Sequence, residues 1–211
     1  MVAENAAEDG ARNDAARVPA AAIDTARIRA AVSELLAAIG ENPNRPGLVD
    51  TPDRVAESYT EFFSGIGEDP LQHLADTETL KEAGHREGEL VIMRGIDFRS
   101  MCEHHLLPFV GVAHIAYLPR AKVVGLGKLP LVLETLAARP QLQERLTEQV
   151  ADAIETALDA LGVLVVLDAA HGCVNSRGTR QSRSTTVTLA SRGQLADPAA
   201  RAEAIALIGK A

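Results

Sequence analysis

Two short stretches concentrate the side chains able to do chemistry: FRSMCEHHLLPF, residues 98–109, and HGCVNSRGTR, residues 171–180. Cys102 and His105 have the Cys-x2-His spacing of a metal knuckle, since two intervening residues let one turn of chain aim both donors at one point. Alone, the pair fits a buried thiol beside a hydrogen-bonded imidazole equally well. The second stretch adds His171 and Cys173, which project from one face if the chain there is extended. A thiolate from Cys173 meeting Cys102 and His105 makes two sulfurs and one nitrogen, a borderline-soft set that suits zinc. Three protein ligands leave one position for solvent, as in catalytic zinc sites. A fourth ligand from His171 would instead close the site and make it structural. His104 cannot easily point the same way as its neighbour His105. It reads as a proton donor beside the metal or as a histidine that orients a ligand. His114, inside the apolar run VAHIAY, reads as a sheet residue, and His73 and His85 as surface residues.

These stretches must be positioned by the elements around them. Ile23, Ile28, Val32, Leu35 and Leu36 recur at helical spacing before Gly40. A second helix starts with Thr51 as N-cap and Pro52 in its first turn, and runs through Val55, Tyr59 and Phe62 to Gly65. Residues 66–88 read as loop. ELVIMRGIDF and VGVAHIAYLP read as strands, and KVVGLGKL as a short strand turning into a helix near Lys128. Leu142, Leu146, Val150, Ile154 and Leu158 step by four and define a long amphipathic helix. VLVVLDAAHGCV and STTVTLAS follow as strands, and DPAARAEAIALIGK as a closing helix. This order predicts an α+β domain whose antiparallel sheet is covered on one face by helices. Residues 1–22, rich in Ala with scattered charges and no apolar stripe, are expected to be a disordered arm. Residues 23–211 then form one domain, with N-terminal helices over 23–65 and a catalytic part over 89–211.

Composition removes several classes of function. With 3% aromatic residues and no Trp, the core must be aliphatic, and the stacking platforms of single-strand nucleic-acid binders are lacking. A net charge of -8, from 21 basic against 29 acidic residues, opposes a polynucleotide partner. No segment approaches the ~20 consecutive apolar residues of a membrane span. The N-terminus carries acids where a signal peptide would have a basic start, so the expectation is a cytoplasmic protein with no membrane partner. Its two cysteines should then be reduced and free of a disulfide.

Four blocks in order, DTPDRVAESYTEFFSG, SMCEHHLLPFVGVAHIAYLP, RPQLQERLTEQVADAI and HGCVNSRG, resemble GTP cyclohydrolase I over residues 25–210. The resemblance implies the tunnelling fold, in which subunit sheets join into a ring-shaped barrel and two five-membered rings stack as a homodecamer with active sites between subunits. It implies zinc held by Cys102, His105 and Cys173, and hydrolytic opening of the guanine imidazole ring of GTP at C8. Formate leaves and the ribose carbons rearrange to give 7,8-dihydroneopterin triphosphate, the first step of folate and pterin biosynthesis. His104 matches a proton donor to the purine, and His171 a histidine that assists proton transfer. Glu144, with Gln143 beside it, matches the carboxylate that holds guanine; a carboxylate accepts from both the ring N–H and the exocyclic amine. Lys128, Arg177 and Arg54 match phosphate-binding positions.

Three positions depart from the family pattern. Gly127 stands where the family has Ser, Leu131 where it has Arg, and Glu57 where it has Lys or Arg. These changes weaken the positive field a triphosphate would meet. Arg180 and Arg183 are the nearby cations able to compensate. The departures leave open a paralogue that takes a guanine nucleotide with fewer phosphates or stops at a ring-opened formamidopyrimidine. A non-catalytic ring scaffold containing zinc is the alternative outside enzymology.

Overall fold

The structure, a computed structural model, describes residues 22–209. The expected disordered arm, apart from its last residue, lies outside them. Helix α1 (Thr25–Ala38) is capped by Asp24, whose carboxylate accepts from the Arg27 N–H at 3.0 Å. Helix α2 (Thr51–Phe62) carries Pro52 in its first turn, but its N-cap is Asp50, with Thr51 already helical. The two helices pack on each other, and no residue of α1 is buried.

The segment read as loop is more ordered than its composition suggests. It contains a 3-10 turn (Pro70–Leu74), where Asp69 accepts from the Leu71 N–H at 3.0 Å, and strand β1 (Thr77–Thr79). Leu74 is buried in the core, and β1 pairs with β4 (Lys122–Val124) in a two-stranded ribbon. Three-residue strands are too short to show a period, which is why neither was readable as a pair. His73 and His85 are half-buried and not surface residues. The His73 ring bonds the Thr135 hydroxyl at 2.8 Å, and the His85 ring bonds the Glu89 carbonyl at 2.9 Å.

The main sheet has the order β5-β2-β3-β6-β7, from β2 (Val91–Cys102), β3 (Pro108–Leu118), β5 (Pro140–Gln141), β6 (Gly162–His171) and β7 (Thr186–Gly193). All neighbours are antiparallel except β5, which pairs parallel with β2 through Met101 and Cys102 only. A bulge between Met93 and Ile96 interrupts β2, and His114 fills it, its Nδ1 accepting from the Gly95 N–H at 3.3 Å.

Helices α3 (Lys128–Ala137) and α4 (Gln143–Leu158) cover one face of this sheet. Phe109, Ala113, Ile115 and Tyr117 of β3 and Val163, Val165 and Leu167 of β6 point into that core. The sequence predicts helices on one face only, and the other face is in fact covered in part. Helix α6 (Pro198–Ile208) packs Ala204 and Ile208 against Ala116, Leu118 and Leu164 at one end of it. Both faces of β3 and β6 are apolar there, so period-two alternation fails and each face needs a cover.

Along α4, Leu146, Val150, Ile154 and Leu158 are fully buried, at the four-residue step the sequence shows. This row seats the helix that carries Gln143 and Glu144. Replacing Leu146 by Ala should cost about 2 to 5 kcal/mol of unfolding free energy, read by urea denaturation; a loss under about 0.5 kcal/mol would show that α4 is not anchored through this row.

Candidate metal centre and active site

The register of β3 on β6 places Phe109 opposite His171. The chain entering β3 and the chain leaving β6 therefore meet at one corner of the sheet. On the first side, the Cys102 N–H donates to the Leu107 carbonyl at 2.9 Å and the Leu106 N–H to the Cys102 carbonyl at 2.8 Å. Leu106 adopts a left-handed conformation, φ 50°, which turns the chain back toward β3. On the second side β6 ends at His171, and one turn of helix, α5 (Gly172–Asn175), begins at once. Cys173 is thus helical and not extended, a correction to the two-apart geometry expected from the sequence. A Cβ at position 172 would lie 2.8 Å from the Pro108 carbonyl oxygen, so only glycine lets α5 start this close to β3.

The two turns bring together one donor atom each from Cys102, His105 and Cys173, all within 4.8 Å of one another. Cys102 is buried, Cys173 half-buried and His105 exposed. Tetrahedral zinc spaces sulfur and imidazole ligands roughly 3.5 to 3.8 Å apart, so this set fits such an ion in donor chemistry and in reach. Both thiols are free. Burial pushes the Cys173 thiol pKa up, the neighbouring Cys102 adds to the rise, and Arg177 opposes it. A metal must therefore displace the proton from Cys173, which ties affinity to pH.

His171 and His104 stand outside this trio. The His171 ring lies 2.7 Å through Nε2 from Gln143 Oε1 and stacks on Phe109, with centroids 4.7 Å apart and planes 5° from parallel. Burial lowers its pKa, with Glu144 opposing. His104 is exposed, its Nε2 4.0 Å from the Glu103 carboxylate. Glu103 in turn pairs with Arg145, whose Nε donates to Gln141 Oε1 at 3.2 Å. Gln143 is 1% exposed, whereas Glu144 beside it faces solvent in the first turn of α4. Arg177 is exposed just beyond α5, near enough to the Cys173 thiol to affect its ionisation.

The other expected residues sit on different elements. Lys128 opens α3 and lines a hollow of about 260 Å3 with Gly125, Leu126, Gly127 and Leu131. Arg54 lies in the first turn of α2, paired with Asp50 at 3.3 Å, and Glu57 is exposed one turn further on. Arg180 and Arg183 are exposed in the segment before β7. A second hollow, about 650 Å3, runs between α2, α3 and the edge of β2, lined by Phe62, Phe98, Met101 and Leu133 among others, and includes none of the trio.

Sequence reasoning missed Phe109, Glu103, Arg145, Thr147 and Thr188 as parts of this corner. Thr147 alone left a signal, one helical turn after Gln143; Phe109 and Thr188 enter through strand register, and Glu103 and Arg145 through a pairing distant in sequence, neither of which local spacing reveals.

Three donor groups able to hold a metal lie at a corner of the sheet, near His104, His171 and the exposed carboxylate of Glu144, an arrangement suited to metal-assisted chemistry. The GTP cyclohydrolase I family model matches residues 28–209. GTP cyclohydrolase 1 of Leifsonia xyli is 62% identical over 186 residues, 88% of this chain and 96% of that protein. The Rhodopirellula baltica protein of the same name is 52% identical over 90% of this chain and 81% of its own length, and the Bacillus subtilis one 50% over 87% and 95%. The chain belongs to the GTP cyclohydrolase I family and is an enzyme of that kind.

Two outcomes follow from the corner. Gly172→Ala should displace α5 and weaken metal retention about 10- to 100-fold, read as metal per chain after dialysis against a graded chelator; unchanged retention would contradict the close-approach argument. Because burial raises the Cys173 pKa, protons compete better as pH falls, so retention in wild type should decrease on acidification from neutral pH. Retention independent of pH would contradict that assignment of the ligand.

Proposed function

We propose that this chain opens the guanine imidazole ring of GTP at C8, releases formate and forms 7,8-dihydroneopterin triphosphate, with zinc held by Cys102, His105 and Cys173. The observation that carries the proposal is the convergence of those three donor atoms within 4.8 Å, in a chain whose relatives are named GTP cyclohydrolase 1. A zinc ion there would supply Lewis acidity and activate solvent at neutral pH. His104, exposed beside the trio with its Nε2 4.0 Å from the Glu103 carboxylate, delivers a proton to the purine. His171 exchanges a proton in the later steps, its ring plane fixed by Phe109. Glu144 accepts from the guanine N–H groups, while Gln143 is turned inward. Arg177, Lys128 and Arg54 are the cations assigned to phosphate.

Residues 23–211 form one catalytic domain, and the active oligomer is a ring in the tunnelling arrangement, two pentamers making a decamer. Open sheet edges support this. β2 has no partner on its outer side over residues 91–100 among the described residues, and β7 ends the sheet on the other side. Edges of this length call for cover, and a second copy supplies it. Helix α1, with nothing buried, Leu35 exposed and Ile39 exposed just past its end, is consistent with burial in such an assembly. Among the described residues no helix is long and apolar enough to cross a membrane.

A second reading, a guanine nucleotide carrying fewer phosphates, is favoured at one place. A Cβ at Gly127 would meet nothing within 4 Å, so the fold does not demand glycine there, and Leu131 presents an apolar side chain 38% exposed beside Lys128. Formate release and pterin absorbance with GTP and with GMP decide between the readings: the proposal expects GTP to be the better substrate, and equal or better use of GMP would overturn it. Leu131→Arg should lower KM for GTP about 10- to 100-fold, the effect of one added charge-assisted bond of ~1.5 to 3 kcal/mol. No change in KM would remove position 131 from the phosphate site.

A further inference from the structure

We propose that Gln143 serves the reaction through His171: its amide holds the imidazole as the Nε2–H tautomer, leaving Nδ1 as the ring nitrogen that exchanges a proton with substrate. This rests on the reading of His171 as part of the active centre. The hydrogen atoms of a buried network have only one consistent placement. The side-chain nitrogen of Gln143 faces the carbonyl oxygens of Leu167 at 3.1 Å and Thr186 at 2.8 Å. Both can only accept, so the amide cannot be turned round.

The neighbouring hydroxyls agree with that orientation. Thr147 donates to the Gln143 backbone carbonyl at 2.7 Å, which uses its one hydrogen. The 2.6 Å contact between Thr147 and Thr188 must then be donated by Thr188. Thr188 is left as an acceptor, and the Gln143 side-chain nitrogen lies 3.1 Å from its oxygen. With its nitrogen committed, Gln143 meets His171 Nε2 through Oε1 at 2.7 Å, and an amide oxygen only accepts. Nε2 must carry the hydrogen. Stacking on Phe109 fixes the ring plane while the Gln143 bond fixes rotation within that plane. The Gln143 bond keeps the hydrogen on Nε2, and Nδ1 is the ring nitrogen left bare.

Burial of Gln143 separates this role from direct recognition of substrate. At 1% exposure its side chain has no open surface to offer a nucleotide, and its four neighbours already use the amide. It is a positioning residue, and its loss should act on turnover more than on binding.

The test uses the full-length protein with its native metal, labelled with 15N-histidine and studied by solid-state NMR above the usual imidazole titration range. His171 signals are assigned by their absence in His171→Asn. The expected spectrum has a protonated Nε2 and a bare Nδ1, and Gln143→Met should give a mixture of tautomers with kcat for GTP reduced about 10- to 100-fold and KM within about threefold of wild type. A wild-type His171 protonated at Nδ1 alone would overturn the inference, as would a Gln143→Met enzyme with raised KM and unchanged kcat, the signature of direct substrate contact. Should Gln143→Met not fold, the wild-type tautomer decides. Absence of GTP turnover in wild type would sink the enzymatic reading separately, since the tautomer spectrum does not depend on activity.

Discussion

Antiparallel pairing of β3 with β6, with Phe109 opposite His171, is the constraint on which the site depends. It makes the turn that carries Cys102 and His105 and the helix that carries Cys173 leave the sheet at the same corner. A slip of one residue would send either Ala113 and Ile115 of β3 or Val163 and Val165 of β6 to the opposite face and out of the core under α3 and α4. Burial of those side chains therefore holds the register, and the register holds the donors together. The aliphatic core thus acts on the chemistry at a distance.

The same logic explains a polar network at the edge of an apolar core. Burying the amide of Gln143 and the hydroxyl of Thr147 costs free energy unless every donor and acceptor is used. Among the described residues no buried side-chain nitrogen or oxygen lacks a partner. Because α4 places Gln143, Glu144 and Thr147 within its first turns, one helix end supplies an inward amide, an outward carboxylate and a bracing hydroxyl. Fixing α4 against the sheet fixes all three.

What the sequence disclosed and what it withheld divide along physical lines. The step of four through Leu146, Val150, Ile154 and Leu158 is a local pattern, and α4 was legible from it. The types and order of Cys102, His105 and Cys173 were legible as a ligand set because soft donors are rare in this chain. The helical setting of Cys173 was not, because it depends on Gly172 approaching the Pro108 carbonyl, a contact across the sheet. Pairing of β1 with β4 and the cover of α6 on the second face were hidden for a similar reason: short or two-sided apolar segments carry no period of their own. The two histidines read as surface residues are half-buried, His73 against the distant Thr135 hydroxyl and His85 against the Glu89 carbonyl in its own loop.

Coordination of a zinc ion by Cys102, His105 and Cys173, as proposed, is tested most directly by the identity and number of the atoms around it. Zinc-edge X-ray absorption on the purified protein should show a first shell of two sulfurs and two lighter atoms, one an imidazole nitrogen and the other exchangeable with solvent. A shell without sulfur, or one closed by two imidazoles with no solvent position, would contradict the account.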